Sequence, residues 1–307
     1  MTNKDYLKVL QKIFSFKKFR PMQEQAIRAI IENKQDVYMT MFTGGGKSLC
    51  YQFPAIYTKK TSLVISPLIS LMNDQTMKLE ELGIKSVSIN STTKDRHKVI
   101  EKLMDGHYSV VYTTPETVIT LKKIIKEMAK KDKLVVVAID ESHCVSSWGH
   151  DFRSVYMELG QIRKWTKGVP MITLTATATK LVEKDIIKSL ELVDPLLLKT
   201  TYDRPNLSIT LKHKGKSISS DLFDLIKNDE PTIIYCPTKK GTENIKNELE
   251  MKNLKIGVYH AGMTSKHREK IHEQFVSGKL KCIAATVAFG MGIDTTIRQV
   301  IHYGIPK

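Results

Sequence analysis

One short segment, Phe42-Thr43-Gly44-Gly45-Gly46-Lys47-Ser48, sets the class of fold that this sequence can adopt. It follows residues 37–41, an apolar run with the composition of a buried strand. A glycine-rich turn that leads from a strand into a helix presents backbone N–H groups to phosphate oxygens, and its lysine neutralises the terminal phosphates. The hydroxyl of Ser48 is a candidate ligand for Mg²⁺. The segment therefore indicates an α/β domain with a phosphate site at the end of a strand.

A second apolar run ends on two acidic residues. Residues 134–139 precede Asp140-Glu141-Ser142-His143, and Asp140 lies 93 positions after Lys47. A carboxylate at a neighbouring strand end can hold the metal ion from its other side, which makes Asp140 the candidate metal ligand. Glu141 would polarise the attacking water as general base. The two segments in this order predict an enzyme that hydrolyses ATP with Mg²⁺.

Each segment also has a simpler interpretation. The strict phosphate-loop pattern places glycine where Met41 stands, so the match is partial. An Asp-Glu pair after a buried strand is often the N-cap of a helix with a favourable first-turn charge. The joint occurrence of the two segments favours the nucleotide interpretation over both alternatives.

Length and composition set further limits. A chain of 307 residues is long enough for two α/β domains. No apolar stretch approaches the roughly 18 residues that span a bilayer, and the N-terminus lacks an apolar signal core. We therefore expect a soluble intracellular protein with no membrane partner, nuclear in a eukaryote and otherwise in the cytoplasm or nucleoid. The four cysteines are widely separated, so neither a zinc site nor a disulfide framework is expected.

The charge balance points to a polyanionic partner. Lysine and arginine number 48 against 32 acidic residues, a formal net charge of +16. Solvated lysine-rich helix faces would also produce this excess. Beside a triphosphatase core, we expect nucleic acid to be the partner, bound through phosphate contacts and counterion release.

Apolar and polar segments alternate along the whole chain, which predicts mostly parallel sheets with helices on both faces. The predicted strands are residues 37–41, 62–65, 86–90, 109–113, 134–140 and 171–175, with helices at 23–32, 68–82, 95–104 and 117–131. After a turn-rich junction at 202–206, a second series has strands at 232–236, 256–260, 281–287 and 299–303, with helices at 242–251 and 264–276. We therefore predict two domains, residues 1–198 and 199–307. The second has no phosphate loop and is expected to be incomplete, because it stops directly after a strand.

Further motifs occur in a fixed order: Phe19-Arg20-Pro21-Met22-Gln23, Ser66-Pro67-Leu68-Ile69-Ser70, Thr114-Pro115-Glu116, Leu174-Thr175-Ala176-Thr177-Ala178, Ile234-Tyr235-Cys236, Val258-Tyr259-His260-Ala261-Gly262-Met263 and Ala285-Thr286-Val287-Ala288-Phe289-Gly290-Met291-Gly292-Ile293-Asp294. Together with the phosphate loop and the acidic segment, they resemble the motifs of the RecQ-type DNA helicases of helicase superfamily 2. The resemblance covers nearly the whole chain and implies two RecA-like domains. It also implies the site residues: for the nucleotide, Phe16, Arg20, Gln23, Thr43, Gly44, Gly45, Gly46, Lys47, Ser48 and Asp294; for catalysis, Lys47, Asp140, Glu141 and His143.

Residues 142–153 resemble the aromatic-rich loop that distinguishes RecQ proteins. Trp148, Phe152 and Arg153 follow the hydrolytic carboxylates closely, so they can stack on bases or bind phosphate while touching the nucleotide site. A simpler interpretation is that Trp148 and Phe152 are core residues that close the sheet edge. The resemblance favours a nucleic-acid role, shared with Ser66, in which a bound strand controls hydrolysis.

His143 has two interpretations. Together with His150 and His260 it suggests a metal site, but no histidine or cysteine lies at zinc-ligand spacing. We expect His143 to form a hydrogen-bonding bridge toward the second domain instead.

The sequence departs from the family pattern in three places. Phe42 and Ser154 stand where the family commonly has proline. In the family, the chain continues past residues 301–307 into motif VI, whose arginine finger is worth about 10³–10⁵ in rate. We therefore expect ATP and nucleic-acid binding to survive better than unwinding.

The leading hypothesis is an ATP-dependent DNA helicase core with 3′→5′ polarity, which binds single-stranded DNA and partial duplexes in recombination and repair. Two alternatives stay open. One is an RNA helicase of the same superfamily, and the other is a nucleic-acid-binding protein that binds ATP without turnover.

Overall fold

The computed structural model describes residues 3–149, 151–201, 205–215, 217–226, 230–289 and 295–304. The chain forms two compact units, Met1–Arg204 and Pro205–Lys307. Within the described residues, no helix has both the length and the apolar character needed to cross a membrane.

The first unit alternates strands and helices. Its strands are β1 (Val37–Thr40), β2 (Thr61–Ile65), β3 (Ser86–Ile89), β4 (Val110–Thr113), β5 (Leu134–Ile139), β6 (Met171–Thr175) and β7 (Leu196–Lys199). Its helices are α1 (Asn3–Phe14), α2 (Gln23–Ile31), α3 (Leu49–Thr58), α4 (Ile69–Glu81), α5 (Arg96–Met104), α6 (Pro115–Thr120), α7 (Lys122–Lys130), α8 (Ser154–Met157), α9 (Ile162–Trp165) and α10 (Lys180–Ser189). Short 3₁₀ turns cover Ser142–Val145 and Glu158–Gln161.

The seven strands form one parallel sheet in the order β3-β4-β2-β5-β6-β1-β7. Hydrophobic clusters cover both faces: Val37 and Met39 of β1 belong to one cluster, whereas Tyr38 between them belongs to the other. Successive side chains of a strand point to opposite faces, and both faces are covered by helices, so the central strands are apolar throughout. The predicted continuous apolar runs follow from this double burial.

All parallel strands end at the same edge of the sheet. The loop after β1 and the acidic residues after β5 therefore lie at one edge, with only β6 between their strands. The loops after β2 and β4 follow on the other side of β5. This edge is the place at which open parallel sheets bind ligands.

The second unit is a smaller parallel sheet. Its strands are β8 (Thr232–Tyr235), β9 (Ile256–Tyr259), β10 (Cys282–Ala285) and β11 (Gln299–His302), in the order β11-β8-β10-β9. Its helices are α11 (Ile218–Leu222), α12 (Lys239–Glu250) and α13 (Ser265–Val276), with a 3₁₀ turn at Phe223–Leu225. The predicted fold class, two α/β parallel-sheet domains, is confirmed.

Some predicted elements differ from the structure. The single helix predicted at 117–131 is two helices, α6 and α7, because the backbone leaves helical geometry at Leu121 (φ −90°, ψ 6°). Thr114 caps the start of α6 by accepting from the backbone N–H of Thr117 at 3.2 Å. The sequence analysis assigned no elements to α1, α10 and β7. The strand β7 pairs with β1, so the predicted boundary at 198/199 falls inside a strand of the first sheet. The functional limits of the two domains stay a prediction.

Candidate functional site

The phosphate loop is held at its start by the sheet. The backbone N–H of Met41 donates to the carbonyl oxygen of Thr175 at 3.0 Å, which ties the loop to β6. Inside the loop, the N–H of Gly45 donates to the carbonyl of Phe42 at 2.9 Å. The Nζ atom of Lys47 donates to the carbonyl of Met41 at 3.0 Å, so the ammonium group is held over the loop.

Two residues at the start of α2, Arg20 in the preceding turn and Gln23 in the helix, fix the loop from outside. Gln23 is 3% exposed; its Nε2 donates to the carbonyl of Gly46 at 2.9 Å, and its Oε1 accepts from the backbone N–H of Arg20 at 2.7 Å. The guanidinium of Arg20 donates to the carbonyl of Gly44. The sequence predicted Arg20 and Gln23 as adenine-binding residues. In the structure they bind the phosphate loop, and base recognition stays a prediction.

Glycine is required at position 46 for two reasons. Its φ of +89° lies in the left-handed region, and a Cβ atom there would lie 2.5 Å from Nε2 of Gln23. The loop thus keeps a close backbone approach open, as a phosphate cradle needs. Because this cradle also carries the Lys47 ammonium, the residues present fit the triphosphate of ATP.

The two acidic residues are held by the sheet edge. The backbone N–H of Asp140 donates to the carbonyl of Ile65 at 2.8 Å, and the Tyr156 hydroxyl donates to the Asp140 carbonyl at 3.0 Å. Glu141 has a φ of 47°, a left-handed conformation that costs a residue with a side chain free energy. Its N–H donates to Oδ1 of Asp140 at 3.0 Å. This interaction is local to the carboxylate pair, and Glu141 makes no side-chain cap to the 3₁₀ turn that follows.

The carboxylates of Asp140 and Glu141 lie close together, so a bound cation would stabilise their charged forms. Burial and the neighbouring Asp140 carboxylate together raise the pKa of Glu141 to about 7, while Lys47 opposes the shift. Burial also raises the pKa of Asp140, with Lys47 and the Glu141 N–H acting against it. Oxygen ligands with excess negative charge are what Mg²⁺ prefers. Ser48 and Asp140 therefore fit the metal site that the sequence predicted.

His143 contacts the hydrolytic carboxylate. Its Nδ1 lies 3.3 Å from Oε2 of Glu141 and 3.0 Å from Oγ1 of Thr175. The Thr175 hydroxyl donates to the carbonyl of Thr177 at 3.0 Å, so it accepts from the imidazole and places the proton on Nδ1. These partners lie in the first unit, and the predicted bridge toward the second domain stays a prediction.

The aromatic-rich loop exposes its rings. Trp148 is 72% exposed and Phe152 is 44% exposed, which is inconsistent with a core role that closes the sheet edge. Ser146 anchors the loop: its hydroxyl donates to Oδ2 of Asp185 at 2.6 Å and accepts from the N–H of Trp148 at 3.2 Å. The two rings are therefore held out from an ordered turn and offer flat apolar surface.

Arg153 ends the loop next to the strand β2. Its Nη2 pairs with Oδ2 of Asp151 at 3.1 Å, and its Nη1 donates to the carbonyl of Pro67 at 3.4 Å. The neighbouring Ser66 is 3% exposed, and among the described residues its hydroxyl has no hydrogen-bond partner. The structure thus places two predicted nucleic-acid residues, Arg153 and Ser66, on either side of Pro67.

Although no cysteine or histidine sits at zinc-ligand spacing in the sequence, the fold brings three potential ligands together. Ligand atoms of His143, Cys144 and Asp151 all lie within 4.8 Å of one another. Burial raises the pKa of the Cys144 thiol to about 12, and the thiol donates to Asp151 at 3.8 Å. Asp151 is also paired with Arg153. A neutral thiol and a carboxylate that already has a cation partner do not suit a zinc ion.

Other predicted residues lie apart or outside the described part of the chain. Phe16 is 51% exposed and precedes α2, beside the loop of Arg20. Asp294 and His150 lie outside the described residues.

Thr175 and Tyr156, which orient His143 and Asp140, were missed as site residues. Thr175 stood in a quoted motif, but the order of strands that brings β6 next to β5 was the missing information.

Comparison with known proteins gives a family for each unit. Residues 20–185 match the family model described as DEAD/DEAH box helicase, and residues 217–307 match the helicase conserved C-terminal domain. The match therefore includes the phosphate loop, the acidic pair and the aromatic-rich loop.

Curated relatives cover nearly the whole chain. A protein of Acanthamoeba polyphaga mimivirus named "Putative ATP-dependent RNA helicase" is 41% identical over 98% of this chain and 55% of its own length. The bifunctional 3′-5′ exonuclease/ATP-dependent helicase WRN of Mus musculus is 39% identical over 99% of this chain and 22% of its own. The ATP-dependent DNA helicase RecQ of Haemophilus influenzae is 38% identical over 98% and 49%. The chain thus spans about half or less of each of these relatives.

Solved structures support the fold alone. Mycobacterium smegmatis helicase Lhr, bound to ssDNA and AMP-PNP, has a TM-score of 0.69 at 17% identity, over 97% of this chain and 43% of that one. A variant of Saccharomyces cerevisiae Dbp5, bound to RNA and ADP BeF3, has a TM-score of 0.70 at 18% identity, over 98% and 79%. Both likenesses agree with a fold of two parallel-sheet domains.

Proposed function

Because this chain belongs to the DEAD/DEAH box helicases and resembles RecQ-type DNA helicases at about 40% identity, we propose that it is the core of an ATP-dependent DNA helicase. Hydrolysis of Mg-ATP would drive 3′→5′ movement on single-stranded DNA and the separation of partial duplexes. The cellular role would lie in recombination and repair. The 3′→5′ direction of movement and the role in recombination and repair are inferred from the resemblance to RecQ-type DNA helicases.

One observation carries the proposal. The phosphate loop follows β1, the acidic pair follows β5, and the exposed rings of the aromatic-rich loop follow the acidic pair within the same segment. Only eleven positions separate Glu141 from Phe152, and both exposed rings, Trp148 and Phe152, lie in this short span. A surface suited to bases is thereby attached directly to the carboxylates suited to hydrolysis.

The chemistry is divided among few side chains. Lys47 and the backbone N–H groups of the loop would bind the triphosphate, and Ser48 and Asp140 would hold Mg²⁺, which neutralises charge on the phosphate oxygens when bound. Glu141 would accept a proton from the attacking water. His143 holds the Glu141 carboxylate in place through the contact at 3.3 Å.

Strand binding would use stacking and backbone contacts. Trp148 and Phe152 offer rings to the bases, and Arg153 offers a cation to a phosphate group. Since stacking and phosphate contacts carry no base identity, we expect binding without sequence preference. The net charge of +16 favours such binding and makes it dependent on salt.

The test is ATP hydrolysis by the chain with and without a thymidine oligonucleotide. We expect stimulation by the oligonucleotide and loss of hydrolysis in Lys47→Ala, whereas Lys126→Ala, an exposed lysine of α7, keeps the wild-type rate. Duplexes with a single-stranded tail at either the 3′ or the 5′ end then test polarity. Equal rates for the wild type and Lys47→Ala would exclude turnover at this site and leave a protein that only binds ATP.

RNA is the second candidate substrate, because the mimivirus relative is named an RNA helicase. The aromatic-rich loop of residues 142–153, which resembles that of RecQ proteins, favours DNA. Comparing the stimulation of hydrolysis by a thymidine oligonucleotide and by a uridine oligoribonucleotide separates the two. If the RNA oligonucleotide stimulates hydrolysis more strongly, RNA replaces DNA as the proposed substrate.

A further inference from the structure

A buried polar network lies between α3, α4 and β4, behind the phosphate loop. Gln52, in the first turn of α3, is 7% exposed. Its Nε2 donates to the hydroxyl of Tyr112 at 3.0 Å and to Oε1 of Gln75 at 3.1 Å. The ring of Tyr51 packs edge-on against that of Tyr112, with centroids 6.3 Å apart. One buried amide thus links the helix that follows the phosphate loop to the next helix along the chain.

Such a network fixes the relative position of two helices. A buried amide that loses its partner is destabilising, whereas apolar side chains could fill the same space without that requirement. Hydrogen bonds between helices are also directional, so they allow one register where an apolar contact would allow several. The bond between Gln52 and Gln75 therefore makes α3 and α4 move together.

On the nucleotide side, the helix that carries Gln52 contacts the segments of both proposed metal ligands. The backbone N–H of Gln52 donates to the carbonyl of Ser48 at 3.0 Å. The helix α3 also packs against β5, the strand that ends one residue before Asp140. A shift of α3 would thus change the positions of Ser48 and of the groups around Asp140.

On the other side, α4 begins at the aromatic-rich loop. Arg153 donates to the carbonyl of Pro67 at 3.4 Å, and α4 starts two residues later at Ile69. Gln75 lies on the same helix, in its second turn. A strand that displaces Arg153 or the segment of Pro67 would therefore move Gln75 as part of a rigid helix.

We propose that Gln75 and Gln52 are positioning residues, which transmit occupancy of the aromatic-rich loop to Ser48 and Asp140 through the bond between their amides. This inference rests on the proposed function, since it requires a nucleotide at the phosphate loop and a single strand at the loop of Trp148. Neither amide needs to touch the nucleotide or the strand. Their role is to fix the position of the phosphate loop relative to the loop of Trp148.

The experiment measures coupling between two binding equilibria and needs no turnover. The dissociation constant of a fluorescent thymidine oligonucleotide is measured for the full chain with and without saturating AMP-PNP and Mg²⁺. The ratio of the two constants is the coupling factor, and linkage requires the same factor in AMP-PNP binding with and without the oligonucleotide. Coupling between sites is typically about 5–150-fold.

Gln75→Met keeps the length of the side chain but removes the acceptor. We expect its coupling factor to fall by about fivefold or more toward one, with oligonucleotide affinity in the absence of nucleotide unchanged. Gln75→Glu retains an acceptor for Gln52 and is expected to keep most of the wild-type factor. Gln75→Ala replaces Gln75→Met if that variant does not fold. Met77→Ala, a 60% exposed residue of the same helix, is the matched control and should keep the full factor.

The outcomes separate the inference from the function on which it rests. A wild-type chain that binds neither ligand, or binds both with a coupling factor of one, contradicts the proposed function and the inference together. A coupled wild type with an equally coupled Gln75→Met contradicts the inference alone. The inference is also wrong if Gln75→Met lowers both affinities in parallel with the melting temperature, because that result indicates packing.

Discussion

The carboxylate of Glu141 and the imidazole of His143 lie 3.3 Å apart, measured from Oε2 to Nδ1. The same Nδ1 lies 3.0 Å from the Thr175 hydroxyl, which itself donates to a backbone carbonyl. The imidazole is therefore shared between a proposed general base and a fixed acceptor on the neighbouring strand. The β6 strand thus sets the orientation of a side chain that follows β5.

The first prediction concerns removal of the Thr175 hydroxyl, the acceptor for the His143 imidazole. In Thr175→Val the imidazole loses its fixed partner, so we expect the turnover number for ATP to fall about 10–100-fold, as is usual for groups that orient a reactive side chain. The KM for ATP should change little, since Thr175 does not belong to the phosphate loop. Thr173→Val on the same strand is the control: among the described residues its buried hydroxyl has no partner, so hydrolysis should be unchanged. Equal rates in the two variants would show that Thr175 has no orienting role.

The sequence predicts the positions of Lys47 and Asp140 better than it predicts the partner of His143. Lys47 and Asp140 follow apolar runs, and the run lengths place both residues at strand ends because buried parallel strands are apolar throughout. The partner of His143 depends on strand order, since Thr175 is adjacent only because β6 lies beside β5. No local pattern encodes that order. The strand β7 was missed for a similar reason: it lies at the sheet edge, is only partly buried and pairs with β1 alone.

A glycine substitution tests the phosphate cradle. In Gly46→Ala the added Cβ meets both a left-handed φ of +89° and the Gln23 amide at 2.5 Å. The left-handed conformation alone costs about 1–2 kcal/mol of stability. Gly106→Ala shares a positive φ of +78° but has nothing within 4 Å of the new atom, so it should lose similar stability. We expect only Gly46→Ala to lose ATP affinity as well, measured by titration with a fluorescent nucleotide; ATP binding that survives in Gly46→Ala would argue against the cradle.

The two tryptophans should respond in opposite ways. Trp148 is 72% exposed and Trp165 is 6% exposed. We expect Trp148→Ala to keep its stability within about 0.5 kcal/mol, as for other surface positions. It should nevertheless lose about 1–3 kcal/mol of strand binding, the usual value of one stacked base. Trp165→Ala leaves a cavity and should lose about 3–5 kcal/mol of unfolding free energy.

Fluorescence isolates the exposed ring directly. The chain has two tryptophans, so Trp165→Phe leaves Trp148 as its single indole emitter. Addition of a thymidine oligonucleotide should quench that emission, because stacking on a base brings the indole into contact with it. Emission that stays constant at oligonucleotide concentrations that saturate binding would show that Trp148 does not contact the strand.

Asp36 holds the opposite, amino-terminal edge of the first sheet together. It precedes β1 and is 4% exposed. Its Oδ1 accepts from the backbone N–H of Met171 at 2.8 Å, and its Oδ2 accepts from that of Val193 at 2.8 Å. The guanidinium of Arg163 pairs with the same carboxylate. One side chain thus connects the starts of β1 and β6 with the turn before β7.

Asp36→Asn therefore tests stability without touching the nucleotide site. The amide oxygen can still accept from one of the two backbone N–H groups, but the NH2 group meets the other as a second donor, and Arg163 loses its charge partner. Breaking a buried ion pair from one side costs about 3–5 kcal/mol, so urea unfolding should show a loss of that size. Asp132→Asn is the control, because its carboxylate is 75% exposed beside Lys60 and such pairs contribute less than about 1 kcal/mol. The folded fraction of Asp36→Asn should still bind ATP normally, and a stability loss no greater than that of Asp132→Asn would mean that Asp36 does not hold the edge together.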